Sequence, residues 1–166
     1  MITFASPEVA TFWRYIASSL DRLVEVTSSI DHEGLHWRPP ARQANSVAIL
    51  VRHTLGNAEE NLLGALAGQA IERDRDDESV TTELSSEELV ERWRRLRSRS
   101  QTSLAALDTS ALTQHRAHPR RGSVTGQEIL IVAARHAAEH LGQAELSRDL
   151  WLATGRATGR ATQGGT

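Results

Sequence analysis

The residues best suited to chemistry in this chain are three of its seven histidines. His53 falls in one apolar-periodic segment, and His136 and His140 fall four residues apart in another. Four residues is close to one helical turn, so the pair stands on a single helix face, one ring above the other. Two imidazoles stacked this way can converge on one metal ion, and a third from a neighbouring helix completes a three-nitrogen site. Such a site keeps a position open to water or substrate, which separates a catalytic centre from a closed structural one. A histidine on its own is more commonly a hydrogen-bonded core or surface residue, so the weight rests on the spacing and its surroundings.

Two absences narrow the chemistry. The chain has no Cys, which removes thiol nucleophiles, disulfides and thiolate metal sites. Any metal must be held by His, Asp or Glu. It also has no Lys, its 19 basic residues all being Arg, which excludes a Schiff base and a Walker A loop. The net charge of -2 provides no global field for nucleic acid or an anionic membrane. The longest purely apolar run, Ile129 to Ala134, is too short to span a bilayer. No basic n-region with an apolar stretch opens the chain, so a cytoplasmic protein without membrane or nucleic-acid partners is expected.

The elements that must position the histidines read as helices. With 166 residues there is material for one domain with a real core. The first helix is predicted from Ser6 to Ile30, with Ser6 as cap, Pro7 in the first turn and a buried stripe of Val9, Phe12, Trp13, Ile16, Leu20, Leu23 and Ile30. The second opens at Asn45 or Ser46 and runs to Ala67, with Gly68 as its stop. The third starts at Ser85 with Glu88 three residues on, a capping-box pattern. The fourth runs from Thr125 to about Ala153. Polar or Pro-containing connections fill residues 31–45, 69–84 and 108–124. The expected fold is all-α, a four-helix bundle over residues 1–153, followed by a disordered Gly/Thr/Arg tail over 154–166.

The neighbours of the three histidines suit a recessed site. Gly56, Asn57 and Glu60 share the His53 face, and Gln143 shares that of His136 and His140. Asn57, Glu60 and Gln143 are candidates to orient imidazoles or contact substrate; as plain structural residues they would be rim or interhelical hydrogen-bonding groups. Other histidines compete less well. His32 and His36 flank Gly34 and precede Pro39, which suggests a helix end or loop, and His115 and His118 fall in a basic connection expected to be solvated. The Arg-rich stretch from Arg92 to Arg99 follows Glu87, Glu88 and Glu91, and reads as a solvated helix face.

Two segments resemble the DinB-like superfamily: "GLHWRPPARQANSVAILVRHTLGNAEENLLGALAGQ" and "TGQEILIVAARHAAEHLGQAELSRDLW". The first resembles the loop, Asn-Ser cap and histidine-bearing second helix of that family. The second resembles its fourth helix, with two His separated by three residues and followed by Gly-Gln. The resemblance implies an up-down-down-up bundle with His53, His136 and His140 as metal ligands. It also implies a divalent ion, zinc or nickel, and a low-molecular-weight thiol cosubstrate such as mycothiol or bacillithiol. The branch it looks closest to includes mycothiol-dependent enzymes.

The leading functional expectation is therefore metal-dependent transfer of a small thiol to an electrophile, with Arg38 and Arg135 as candidate carboxylate binders near the bundle mouth. Two alternatives stay open: a metal-dependent hydrolase that activates water, and a non-catalytic, stress-related metal- or small-molecule-binding protein. Bundle faces often pair, so a homodimer is also an expectation, without an identified interface.

Overall fold

The helices start where the side chains can satisfy the free N–H groups of a first turn. A computed structural model describes residues 2–73, Glu78 and 84–161, with side chains as far as Gly155. Helix α1 (Pro7–Ser28) is capped by Ser6, whose hydroxyl accepts the Val9 N–H at 3.3 Å. After a short helix α2 (His32–His36), α3 (Val47–Ala58) is capped by Ser46 through the Ile49 N–H at 3.4 Å. Helix α4 (Ser86–Ala105) carries the full capping box of Ser85 and Glu88. Helix α5 (Gly126–Ala161) repeats the device, with Glu128 accepting the Thr125 N–H at 2.7 Å and Thr125 accepting the Glu128 N–H at 3.3 Å.

Helix α3 does not end at Ala58. It widens into π-type turns from Glu59 to Leu66 and closes at Gly68, which takes φ 72°. That left-handed conformation suits glycine and turns the chain out of the helix. The widened turns were not legible in the sequence, where Glu59 to Leu66 continues the helical periodicity without a break.

Long-range contacts fix the direction of each helix. Ala5 donates to the Ala105 carbonyl at 2.9 Å, the rings of Trp13 and Trp93 lie 6.3 Å apart, and Thr27 bonds Ser86 at 2.8 Å. Helices α1 and α4 are therefore antiparallel. Near their starts, α1 and α5 both meet the turn at Thr109–Leu112, and further along Arg22 pairs with Glu145 at 2.6 Å, so these two are parallel. Helix α3 runs against α5, with Leu50 near Gln143 and Leu66 near Gly126. It runs with α4, Glu59 meeting Arg92 and Arg99 while Gln69 meets Ser103. The result is an up-down-down-up bundle. Its core is built on Ile16, Leu20, Leu23, Leu55, Leu62 and Leu130, all fully buried. Each such side chain contributes about 1.5–3 kcal/mol relative to an exposed one. Among the described residues no helix is long and apolar enough to cross a membrane.

Two local readings need correction, and a third is made more definite. His32 and His36 lie within the single turn of α2, with ring centroids 4.7 Å apart, because Asp31 caps that turn through the Gly34 N–H. The connection after α4 is not plain loop: strands β1 (His115–His118) and β2 (Gly122–Thr125) form an antiparallel hairpin. The hairpin is too short for apolar alternation to reveal, and His118 at its tip is buried, not solvated. Helix α5 continues past Ala153 to Ala161, and residues 162–166 of the tail lie outside the described residues.

Candidate metal centre

Helices α3 and α5 bring His53, His136 and His140 together at their crossing. Ring centroids are 5.1 Å apart for His53 and His136, 5.3 Å for His53 and His140, and 4.3 Å for His136 and His140. One nitrogen from each lies within 4.8 Å of the other two, and all three residues are half-buried. Tetrahedral bonds of about 2.0–2.1 Å place donor atoms about 3.3 Å apart, so small side-chain rotations would close the group on one ion.

The partners of each ring indicate which nitrogen is available. His140 Nδ1 lies 2.8 Å from Gln143 Oε1, an acceptor, so Nδ1 carries the proton and Nε2 is the free lone pair. His53 Nδ1 lies 3.3 Å from Glu78 Oε2. It also lies 3.5 Å from Arg73 Nη2, but that nitrogen already donates to the His53 carbonyl at 3.2 Å and to Glu78 at 2.7 Å. The Glu78 carboxylate therefore accepts a hydrogen bond from the His53 Nδ1–H, which leaves Nε2 as the position open to a ligand. His136 Nε2 is buried with no hydrogen-bond partner. A buried imidazole nitrogen without a partner is uncommon, and here its ring belongs to a group of three that each offer one nitrogen within 4.8 Å of the others. The donor set fits a divalent ion held through one nitrogen of each ring.

Electrostatics favour the neutral form of His136 and His140, the form that ligates. Burial, reinforced by His140, His53, Arg73 and Arg120, pushes the pKa of His136 down to about 3. Burial also lowers that of His140, against the opposing hydrogen bond of Gln143.

On one flank lies a buried ion-pair chain that sequence reading missed. Arg73 bonds Glu78 through two parallel contacts of 2.9 and 2.7 Å and reaches Glu60 at 3.2 Å. Glu60 in turn accepts Arg120 Nε from the hairpin tip at 2.9 Å. Burial opposes the charge of Glu78, but His53 and Arg73 outweigh it and hold its pKa at about 2. Burial similarly opposes the charge of Glu60, and Arg120 and Arg73 keep its pKa below the ordinary value. Neither Arg73 nor Glu78 stands at any informative spacing from a histidine; both sit in what reads as a polar, acidic connection.

The remaining candidates fall into separate roles. Gln143 touches His140. Asn57 is buried and accepts from Asn61 Nδ2 at 3.2 Å, and Asn61 Oδ1 meets His118 Nε2 at 3.3 Å. Glu60 contacts the two arginines and not the three-histidine group. Gly56 leaves room for Glu78: a Cβ there would overlap its carboxylate. On α4, Arg94 and Arg95 pair with Glu91, Arg97 with Asp21 and Arg99 with Glu59, so opposite charges match that basic stretch.

A helix bundle of this topology with a three-histidine group between its second and fourth long helices defines a class of all-α fold with a candidate metal site. The sequence pattern of the DinB superfamily matches residues 15–144, and the chain belongs to that family. Among solved structures it is similar to a DinB-like protein from Bacillus cereus, with 18% identity, TM-score 0.67, and 89% of this chain and 94% of that one covered. It is also similar to a conserved protein from Enterococcus faecalis, with 16% identity, TM-score 0.66, and 85% and 95% covered. At those identities the likeness concerns the fold. No curated protein matches the chain.

Proposed function

We propose that His53, His136 and His140 hold a divalent ion, zinc or nickel, and that the protein transfers a low-molecular-weight thiol of the mycothiol type to an electrophile. The observation that carries this is the convergence of the three imidazoles, one nitrogen of each within 4.8 Å of the others, together with the buried and unpartnered His136 Nε2. When bound, the ion supplies a Lewis-acid centre that favours the thiolate form of a thiol at neutral pH. Gln143 and Glu78 hold the rings of His140 and His53 in the required tautomer, as outer carboxylate and amide groups do at histidine metal sites. With no Cys in the chain, the sulfur must arrive with the cosubstrate, and a reducing, cytoplasmic setting suits such a thiol. The balance is simple. A bond forms between the thiol sulfur and the electrophilic carbon, the leaving group departs with the electron pair of its own bond, and the thiol proton passes to water.

The test begins with metal analysis of untagged protein beside a His53→Ala, His136→Ala variant. Near-stoichiometric metal that the variant lacks, followed by thiol conjugation by the loaded protein, supports the reading. Turnover of esters or amides without thiol would replace it with hydrolysis. Metal binding with no turnover of either kind would leave a binding protein.

A further inference from the structure

The flank of the histidine group opposite the ion-pair chain is a cleft of about 350 Å³, between the loop before α3 and the outer turns of α5. It shares two helices with the histidine group and is linked to it through one residue on each. Leu50, in its wall, precedes His53 by one helical turn, and Gln143, whose oxygen holds His140, lines it as well. Its far end is Leu150, with Leu146 between; these two leucines are 41% and 60% exposed at the rim. The loop side is tied by its own turn, with Ala41 N–H on the Pro39 carbonyl at 2.7 Å and Ala44 N–H on the Ala41 carbonyl at 3.0 Å.

The lining is the informative part. Among the described residues no Asp, Glu or Arg lines this cleft, whose polar groups are Gln43, Asn45, Gln143 and Ser147. The smaller cavity on the other flank, about 160 Å³, is lined by Arg52, Arg73, Arg92, Glu59, Glu72 and Glu78. A charged ligand group moved into the first cleft would lose water and find no countercharge. An apolar ring there would cover exposed leucine and gain from burial. The volume suits a small molecule and is too small for a helix or a protein partner.

We propose that this cleft binds the apolar part of the second substrate, and that this substrate is an uncharged, ring-sized molecule with its reactive atom turned toward the histidines. The word substrate rests on the thiol-transfer reading; the preference of the cleft for an uncharged apolar ligand does not. The experiment uses the full chain and the neutral fluorophore N-phenylnaphthylamine, with its sulfonated analogue, anilinonaphthalene sulfonate, as the charged counterpart on the same skeleton. Fluorescence titration is run on metal-free and zinc-loaded protein, on Leu146→Glu and on Ala41→Trp. Both substitutions are at exposed positions, the first placing a carboxylate at the rim and the second filling the space.

The neutral probe is expected to bind both forms of the wild type, and the sulfonate about tenfold more weakly. Each variant should weaken the neutral probe about tenfold while zinc stoichiometry stays unchanged. Failure of the neutral probe to bind, equal binding of the sulfonate, or binding indifferent to both substitutions overturns the proposal. Protein that takes no zinc yet shows the expected probe pattern supports the cleft and removes only the thiol-transfer reading.

Discussion

Gly56 and Glu78 should be energetically coupled, and a double-mutant cycle can measure it. Gly56 lies inside α3, where alanine is ordinarily the better residue by about 1 kcal/mol. Here its missing Cβ is where the Glu78 carboxylate sits. That carboxylate is at the end of a flexible side chain, but it is held by two contacts from Arg73 and by His53. Displacing it leaves Arg73, whose side chain is 6% exposed, with Glu60 as its remaining carboxylate partner. Breaking a buried pair outright costs about 3–5 kcal/mol, and with Glu60 in place about 2–3 kcal/mol is the reasonable figure. Gly56→Ala should therefore destabilise the metal-free protein by about 1–2 kcal/mol, the propensity gain offsetting part of the loss. In a Glu78→Ala background there is no carboxylate to displace, so the same substitution should stabilise by about 0.5–1 kcal/mol. The coupling is then about 2–3 kcal/mol, within the range for residues in contact. Urea unfolding followed by tryptophan fluorescence, with chelator present, reads all four corners. Equal effects of Gly56→Ala in both backgrounds would refute the argument that Glu78 occupies this space under restraint.

Other consequences follow from the same geometry. Zinc at about a hundredfold excess over its Kd should add about 2.7 kcal/mol, or about 5–10 °C in Tm, and calorimetry should show that gain vanish in His136→Ala. Glu78→Gln keeps an acceptor for His53 Nδ1 and should lower zinc affinity less than Glu78→Ala, for which about 10–100-fold is expected; competition with a chromophoric chelator measures both. The pKa of His136 falls from 6.5 to about 3 on folding, so the unfolded chain binds more protons between those values and metal-free stability must fall as pH drops below about 6.5. Glu78, held at about 2 against an ordinary 4.5, adds to the loss at lower pH, since its contribution exists above 4.5 and disappears as pH falls through its folded value. Chelator-treated protein that gains stability between pH 6 and 4 would contradict the His136 assignment, and a gain between pH 4.5 and 2 would contradict that of Glu78 as well. Gly142 on α5 has open space where a Cβ would go, so Gly142→Ala should stabilise by about 0.5–1 kcal/mol in the same urea assay.

The legibility of this fold was uneven for physical reasons. Caps at Ser6, Ser46 and Ser85 and the stop at Gly68 could be read because they are local: a side chain or a glycine acts on backbone within a turn of itself. The shared face of His136 and His140 could be read for the same reason, since helix geometry alone sets it. Arg73, Glu78, Arg120 and His118 could not. Each reaches the site from a connection whose path is set by tertiary contacts, and their types and spacing resemble those of any solvated loop. The hairpin at His115 to Thr125 was hidden by its brevity, since four-residue strands show too little alternation to register.

The hidden part explains a choice the visible part leaves open. Three histidines at a helix crossing could present either ring nitrogen, and an ion needs all three presented together. The two helices supply ring positions but not tautomers. Gln143 supplies one from within α5, at a spacing of three residues from His140. The other comes from Glu78, which lies beyond α3 in sequence and is tied through Arg73 to Glu60 on the widened turns that follow that helix. Those widened turns help present Glu60 to Arg73 and, across the hairpin, to Arg120. Charge is thus concentrated on the flank that orients His53, and among the described residues the lining of the opposite cleft, with Leu50, Leu146 and Leu150, carries none. A site arranged this way separates two tasks: one side fixes the ligand geometry, and the other remains available to a molecule that brings no charge of its own.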